Sequence, residues 1–501
     1  DNKNIVFDFN GKTYNVVGAS VGYPGTETNA FQLKKGSTVV MQNGKIDTTC
    51  AKIVLQKYCD LTLIDMELDF SDRNTVQYVI SNNNATTIIE GNTIIKAPDE
   101  QYAFDLYYWP SNGYDEKIQV TFADNFKGEV SGAVGYGADA AGAATAGWQT
   151  NAALNFADGN NGTYNVTFSV TSGNAADANI LVEDGIFSAP VLSAYLAENM
   201  AMAMQSDGTY TVIDEANASN EGYVASVDNG TTVIMYGSLQ AAINAAGANA
   251  ATITLYDHVT ESIAIAEGQE IILDLGGFTL TNDPDKNTIT NSGTLTVIGN
   301  GTVDNISHGK GALVNYGKAT LSGGTFTRSQ EKGTYGNGIN EAGGYSANGN
   351  SWYTVKNYGD LTIEEGTTVT TRLQDESGQS VGGYSSLIAN GYQNDTDYKN
   401  NHDLVTAANE AKITITGGTF IGGINTLKND EGSNAEISGG TFSNVTQAAV
   451  QNWNELSISG GTFNADGDTV QAVITGCWGS TIGSVGKTDI SGGTFNREVA
   501  P

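Results

Sequence analysis

The sequence contains little cysteine, little proline and little positive charge. Of its 501 residues, 3 are cysteine and 6 are proline. Cys50, Cys59 and Cys477 are too few and too widely spaced for a disulfide framework or a zinc site. We expect them to be small buried residues, with a Cys50–Cys59 disulfide as the alternative. Because proline is scarce, the 62 glycines do not belong to a disordered Pro-Gly tract, and their fixed places indicate tight turns.

The charge balance argues against several classes of partner. Lys and Arg total 23 against 55 Asp and Glu, which gives a net charge of −32. This charge opposes binding to nucleic acid and to anionic lipid. The sequence also contains neither a long apolar run nor a signal peptide, so we expect no nucleic-acid partner and no membrane insertion of this fragment. Only 16% of the residues are charged, and the polarity comes from Asn, Thr, Ser and Gly, which is typical of an all-β extracellular protein.

One heptapeptide recurs along the second half of the chain. ISGGTFN occupies 458–464 and 490–496, and close variants occupy 321–327, 415–421 and 437–443. Where the repeat is unbroken, the apolar residue after the glycines returns every 21 to 23 residues, which indicates a solenoid. Apolar and polar residues alternate on both sides of the glycine pair, so each unit is predicted to be a strand, a turn and a second strand.

A corner that carries Asn or Gly precedes the apolar residue after the glycines by about 11 or 12 residues, at Asn291, Asn315, Asn357 and Asn452. Asn side chains stacked at such corners can hydrogen-bond to one another along the solenoid. Short strands, periodic corners and a repeat of this length together predict an all-β fold, a parallel β-helix solenoid.

The chain is predicted to hold two such arrays. Residues 36–46 align without gaps to 293–303, so both arrays open in the same way. We place the first array at 1–190, a cap and connector at 191–235, and the second array at 236–501.

Smaller features refine this division. Residues 195–204 are interpreted as a short helix-like stretch and 208–212 as a strand of the connector, while 133–150 is interpreted as a loop insertion of low complexity. Ser238 is the predicted N-cap of an amphipathic helix that caps the second array. Residue 1 corresponds, in the comparison of the two arrays, to the point at which the second array begins after its capping helix. We therefore interpret the first array as N-terminally trimmed and the chain as a fragment of a longer surface protein.

Three segments carry a resemblance to a known family: SLQAAINAA at 238–246, the ISGGTF units, and PVLSAYLAENMAMAMQSDGTYTV at 190–212. They resemble the large extracellular β-helix proteins of gut anaerobes, especially Firmicutes, which are described as adhesin-like and share the pectate-lyase-like fold. The resemblance implies a right-handed β-helix and a location at the bacterial cell surface or in the secreted fraction. It implies no particular activity, because that family has no common catalytic motif.

The period is broken by long insertions at 328–354 and 372–408 and by a shorter one at 465–482. We expect all three to leave the same flank of the solenoid, where the two long ones would form one lobe. Aromatic faces flanked by amides and carboxylates suit sugar rings, although such residues also close the small cores of long loops. The predicted ligand-binding residues are Tyr335, Tyr345, Trp352, Tyr353, Tyr384, Tyr392 and Tyr398.

These features predict a non-enzymatic, adhesin-like interaction protein that presents the lobe to a glycan or to a host surface protein. The first alternative is a polysaccharide lyase or glycoside hydrolase with a carboxylate site at 372–403, since such enzymes use pairs of carboxylates. Its candidate catalytic residues are Asp375, Glu376, Asp395 and Asp397. The second alternative is a passive structural stalk.

No cofactor is expected, and the sequence predicts no particular oligomeric state. Ca²⁺ bound at 395–397 or at 283–285, both Asp-X-Asp sequences, is the weaker alternative. His258 and His308 have no partner at metal-ligand spacing and are expected to be structural.

Overall fold

The computed structural model describes residues 2–18, 20–22, 27–114, 116–307, 309–330, 352–373, 385–391, 411–430, 433–467, 470–475, 486–497 and 499. The chain divides into two compact units. The first comprises Asp1–Ala218 with Thr231–Ile234, and the second comprises Ser219–Gly230 with Met235–Pro501. Each contains a stack of parallel strands, which confirms the predicted all-β solenoid with two arrays.

The array of the first unit has three faces. Three long strands bend from the first face to the second, at residues with positive φ (Asn10, Asn43 and Asp65): Asn4–Val16, Thr38–Thr48 and Asp60–Asp69. The first face continues through Thr86–Glu90, Ile118–Phe122, Ala152–Phe156 and Ile180–Val182. The second continues through Ile94–Lys96, Glu129–Ala138, Thr163–Val170 and Ile186–Phe187. The third contains Asn29–Leu33, Ile53–Lys57, Tyr78–Asn82 and Tyr102–Tyr108, and then the second halves of Glu129–Ala138 and Thr163–Val170.

Two sequence interpretations in the first unit are wrong. Residues 133–138 were predicted to belong to a loop insertion, but they complete the strand Glu129–Ala138. A short helix, Ala140–Ala143, and a 3₁₀ turn, Trp148–Asn151, follow this strand. The helix-like stretch contains the strand Met200–Met204, antiparallel to Tyr210–Asp214. Sequence periodicity does not distinguish a short apolar run in a buried strand from one in a helix. The strand predicted at 208–212 is confirmed. Further 3₁₀ turns lie at Pro110–Asn112, Ala175–Asp177, Ser193–Tyr195 and Glu215–Glu221.

The cysteines only partly follow the prediction. Cys59 is buried, but Cys50 is exposed, and both are free thiols, so the alternative of a disulfide between them is wrong. Cys477 lies outside the described residues.

The predicted helix, Leu239–Ala246, precedes the array of the second unit. The Ser238 hydroxyl accepts a hydrogen bond from the Ala241 amide, as an N-cap does. The Glu261 carboxylate accepts the free amides of Leu239 and Gln240 at 3.1 and 3.0 Å, so the first turn of the helix is satisfied. The cap also contains the strand Ala225–Asp228, antiparallel to Ala251–Leu255; the strand Val233–Tyr236 precedes the helix. None of the helices in the described part of the chain is long and apolar enough to cross a membrane.

After this cap, the array again has three faces, and the strands within each face are parallel. The first contains Ala251–Leu255, Glu270–Asp274, Thr294–Ile298, Lys318–Leu321, Asp360–Ile363, Ala411–Ile415, Ser433–Ile437, Glu455–Ile458 and Lys487–Ile490. The second contains Val259–Thr260, Thr279–Thr281, Thr302–Asp304, Thr325–Thr327, Thr368–Thr370, Thr419–Ile421, Thr441–Asn444, Thr462–Ala465 and Thr494–Phe495. The third contains Ile263–Ile265, Ile289–Asn291, Leu313–Asn315, Val355–Asn357, Ile388–Asn390, Asn425–Asn429, Ala448–Asn452 and Gln471–Thr475.

The heptapeptide joins the first face to the second. Its Phe side chains fill the lumen, and the rings of Phe442 and Phe463 stack with centroids 4.9 Å apart. The second glycine has positive φ, 92° at Gly440. The first glycine has no room for a side chain, since a Cβ at Gly439 would lie 2.1 Å from a carbonyl oxygen of the preceding coil. Both glycines are therefore required by the turn.

A ladder of buried Asn side chains ends the third face. Each Nδ2 donates to Oδ1 of the Asn in the next coil, at 2.7, 2.8, 2.7, 2.9 and 2.8 Å. The ladder consists of Asn291, Asn315, Asn357, Asn390, Asn429 and Asn452, all fully buried. Four of the six were predicted from the corners.

A strand that ends at Asn390 divides the second long insertion. The strand Ile388–Asn390 lies within 372–408, so this interval is not one uninterrupted insertion. The residues of this interval after Asn390 follow a corner of the third face instead of preceding it. In 465–482, the residues after the strand Gln471–Thr475 also follow such a corner, since Thr475 pairs with Asn452. The expectation that all the insertions leave one flank is therefore wrong.

We expect Asn357→Ala to lower the free energy of unfolding by about 3 kcal/mol, because it leaves buried amide groups of Asn315 and Asn390 without their partner, at about 1–3 kcal/mol for each group. Asn464→Ala, in the half-buried outer row of the second face, is the matched control and should change it by less than about 0.5 kcal/mol. Urea denaturation of both variants measures the difference. Equal effects would show that the ladder does not stabilise the array.

Candidate functional site

Two of the predicted binding residues lie in the described part of the chain. Trp352 is half-buried and Tyr353 is buried, and their ring centroids are 5.5 Å apart. The backbone carbonyl of Trp352 accepts a hydrogen bond from the buried guanidinium of Arg328. The other predicted residues lie outside the described residues: Tyr335, Tyr345, Tyr384, Tyr392 and Tyr398 for binding, and Asp375, Glu376, Asp395 and Asp397 for the catalytic alternative.

The Asn ladder places a column of residues at the adjoining corner of the second array. Since the ladder residues are in register, the residues that follow them lie one above another, in the order Ser292, Tyr316, Tyr358, Gly391, Asp430 and Trp453. The rings of Tyr316 and Tyr358 stack, with centroids 5.1 Å apart and planes 12° apart. Tyr316 is 55% exposed, so it presents an aromatic surface at a fixed position.

Five side chains, beginning with the second ring of this pair, form what we call the corner stack: Tyr358, Lys356, Asp430, Lys428 and Trp453. Lys356 Nζ lies 4.7 Å from the Tyr358 ring centroid and 3.5 Å from Asp430 Oδ2. Lys428 Nζ lies 2.9 Å from Asp430 Oδ1 and 4.1 Å from the Trp453 ring centroid. Tyr353 adds a second ring, 4.9 Å from Lys356 Nζ. The order is therefore aromatic ring, cation, carboxylate, cation, aromatic ring.

The three charges of the corner stack are almost fully removed from water. The side chains of Lys356, Lys428 and Asp430 are 2%, 8% and 0% exposed. Burying charges is costly unless they are paired, and here the carboxylate and the aromatic faces supply the pairing. Lys356 also donates to the carbonyl of Gly391. The corner stack thus ties together the coils of Val355–Asn357, Ile388–Asn390 and Asn425–Asn429.

Sequence reasoning missed the charged members of the corner stack. Lys356 and Lys428 each precede a ladder Asn, and Asp430 and Trp453 each follow one. That position relative to the repeat was the available signal. It could be used only once Asn390 and Asn429 had been assigned to the ladder.

A second cluster of charge lies on the first face of the last coils. Glu436, Glu455, Lys487 and Asp489 line a shallow depression of about 240 Å³. All four residues are exposed on regular strands. Exposed charged side chains of this kind keep the outer face of a sheet solvated, and we assign no chemistry to them.

The described residues do not form the predicted metal sites. The Asp283 carboxylate accepts hydrogen bonds from Lys286 Nζ at 3.2 Å and from the Ser262 amide at 3.3 Å, and the lysine holds the pKa of this carboxyl below its usual value. No group of three or more His, Cys, Asp or Glu able to hold a metal occurs in the part of the chain that the structure describes. The Asp395–Asp397 segment and His308 lie outside it, while His258 Nδ1 accepts the Thr279 amide and is structural.

In the first unit, two groups on the third face have strongly shifted pKa values. Burial lowers the pKa of Lys57 to about 7, and its Nζ donates to the Ala85 carbonyl at 2.7 Å. Burial raises the pKa of Asp105 to about 7, although its carboxylate accepts the Asn82 amide at 2.9 Å. Each group is held by the backbone of a neighbouring coil, so we assign them to the structure of the array.

Comparison of the chain with family models, with curated proteins and with solved structures finds no match. The parallel β-solenoid fold is therefore shown by the strands themselves.

The shifted groups predict a minimum of stability near pH 7. Between about pH 4 and 7, folded Asp105 keeps a proton that the unfolded chain has released, so the free energy of unfolding falls as pH rises. Between about pH 7 and 10, the unfolded chain keeps a proton that folded Lys57 has released, so the free energy of unfolding rises. Each effect is at most about 5 kcal/mol.

Urea denaturation from about pH 4 to about pH 10 measures this profile. Asp105→Asn should remove only the fall on the acid side, and Lys57→Met only the rise on the alkaline side. A profile that neither variant changes would contradict the assignment.

Proposed function

We propose that the protein is a non-enzymatic, adhesin-like interaction protein of the bacterial cell surface, and that the corner of its second array binds a glycan. The observation that carries this proposal is Tyr316, an aromatic ring that is 55% exposed at a corner between two strands of the second array. Exposed rings are the surfaces on which the C–H faces of sugars stack, while neighbouring polar groups pair with hydroxyls.

The structure around Tyr316 supports a binding surface that is already organised before the ligand arrives. The ring stacks on Tyr358, and both side chains follow ladder residues that are fixed by hydrogen bonds on either side. The corner stack then continues the same column to Trp453. A side chain that is already ordered loses little conformational entropy on binding, so more of the contact energy becomes affinity.

The charge of the chain narrows the class of glycan. With a net charge of −32, the protein repels acidic polymers at long range. We therefore expect neutral glycans to bind better than sialylated or uronic-acid polymers. A host surface protein remains the alternative partner, and its own glycans would be the recognised feature.

Point variants are better tests of this surface than removal of the insertions. Deleting 328–408 would also remove the strands Val355–Asn357, Asp360–Ile363, Thr368–Thr370 and Ile388–Asn390, and with them two members of the ladder. Loss of binding after such a deletion would report unfolding as readily as loss of a site.

We expect Tyr316→Ala to weaken glycan binding about fivefold to tenfold, since an aromatic contact contributes about 1 kcal/mol beyond its area. Tyr316→Phe keeps the ring and should retain most of the affinity. Tyr14→Ala in the first unit removes a ring of similar exposure, 52%, and is the matched control that should bind like the wild type. A glycan array identifies the ligand, and titration of each variant with it measures the affinity.

Two results would count against the proposal. Equal affinity of Tyr316→Ala and wild type would place binding elsewhere. New reducing ends or unsaturated products from the recognised glycan would show an enzyme, and the protein would then belong to the hydrolase or lyase alternative.

A further inference from the structure

The centre of the corner stack contains a close contact that is not a hydrogen bond. Lys428 Nζ lies 2.9 Å from Asp430 Oδ1, yet Oδ1 accepts no hydrogen bond from the described residues. A buried carboxylate oxygen without such a bond is costly and calls for an explanation. The amine therefore lies within ion-pair distance of the carboxylate, but without the alignment of a hydrogen bond.

The charges of the cluster do not cancel. Two ammonium groups face one carboxylate, which leaves a formal charge of +1 in a site where the three side chains are at most 8% exposed. A lysine beside a second cation, among aromatic rings and away from water, is in the kind of environment in which enzymes use an amine as a nucleophile. The rings of Tyr353, Tyr358 and Trp453 line the site.

We propose that Lys428 and Asp430 condense to an intramolecular isopeptide bond, with Lys356 as the proton donor. The neutral Lys428 amine attacks Asp430 Cγ, and the new bond is Nζ–Cγ. Lys356 Nζ, 3.5 Å from Oδ2, gives a proton to that oxygen, which takes a second proton from the attacking nitrogen and leaves as water. The products are one amide, one water molecule and neutral Lys356, which regains its proton from solvent. No oxidant or other reactant is needed.

Placement and environment both favour this condensation. Holding two reactants in contact provides effective concentrations of about 10⁵–10⁸ M in well-oriented cases. Amide formation also replaces two buried charges with a neutral group, which removes the cost of their desolvation. Since the enclosing side chains exclude water, hydrolysis of the amide would be slow once it had formed.

The test is mass spectrometry of the purified, denatured chain. We expect the intact mass to be lower than the sequence mass by one water molecule. A tryptic map should show no cleavage after Lys428 and a peptide that contains Lys428 and Asp430 with the same deficit. Lys428→Arg keeps the charge but should restore the full mass. Lys412→Arg, at an exposed lysine of the same array, is the matched control and should keep the deficit.

Asp430→Asn provides a second test with a different leaving group, because condensation of an amide expels ammonia instead of water. Fragmentation of the peptide separates the isopeptide from a succinimide at one of the Asp-Gly sequences, such as Asp466-Gly467, which hydroxylamine would cleave. A wild-type mass equal to the sequence mass would overturn the proposal. So would a deficit that survives in Lys428→Arg, or a link from Asp430 to Lys356.

Discussion

The structure of the second array depends on one repeated interaction, the hydrogen bond between buried Asn side chains of successive coils. Each amide donates to the next one and accepts from the previous one, so a polar column is fully paired within the core. Buried polar groups are stable only when paired, so a coil that slipped by one residue would leave amides unpaired on both sides. The ladder therefore fixes the register of the three faces, and the Phe stack and the glycine corners follow from that register.

The repeat predicted most of this fold because it reports local constraints. The Gly pair of ISGGTF is required by a tight turn and the Phe by a filled lumen, and both requirements are visible in any single unit. Asn390 was missed because it lies inside a long irregular interval, and Asn429 because the residues that follow it do not have the pattern of the other corners. Met200–Met204 was misread because a buried strand of five apolar residues has no distinctive period.

The candidate site was less predictable, since it depends on contacts between distant residues. Trp352 and Tyr353 were found as aromatics near an insertion. Lys356 and Lys428, 72 positions apart, look like ordinary surface lysines until the coils are stacked. Only then does one carboxylate, Asp430, lie between them. Sequence spacing identifies which residues repeat, but not which of them meet across the coils.

The ladder joins residues that are 24, 42, 33, 39 and 23 positions apart, and its hydrogen bonds stay between 2.7 and 2.9 Å. The number of residues between two ladder Asn residues can therefore vary, while the hydrogen-bond distance between their side chains stays nearly constant. The entropic cost of closing a loop grows only with the logarithm of its length. An array of this kind can acquire insertions between ladder Asn residues during evolution, because an insertion there does not require the core of the array to repack.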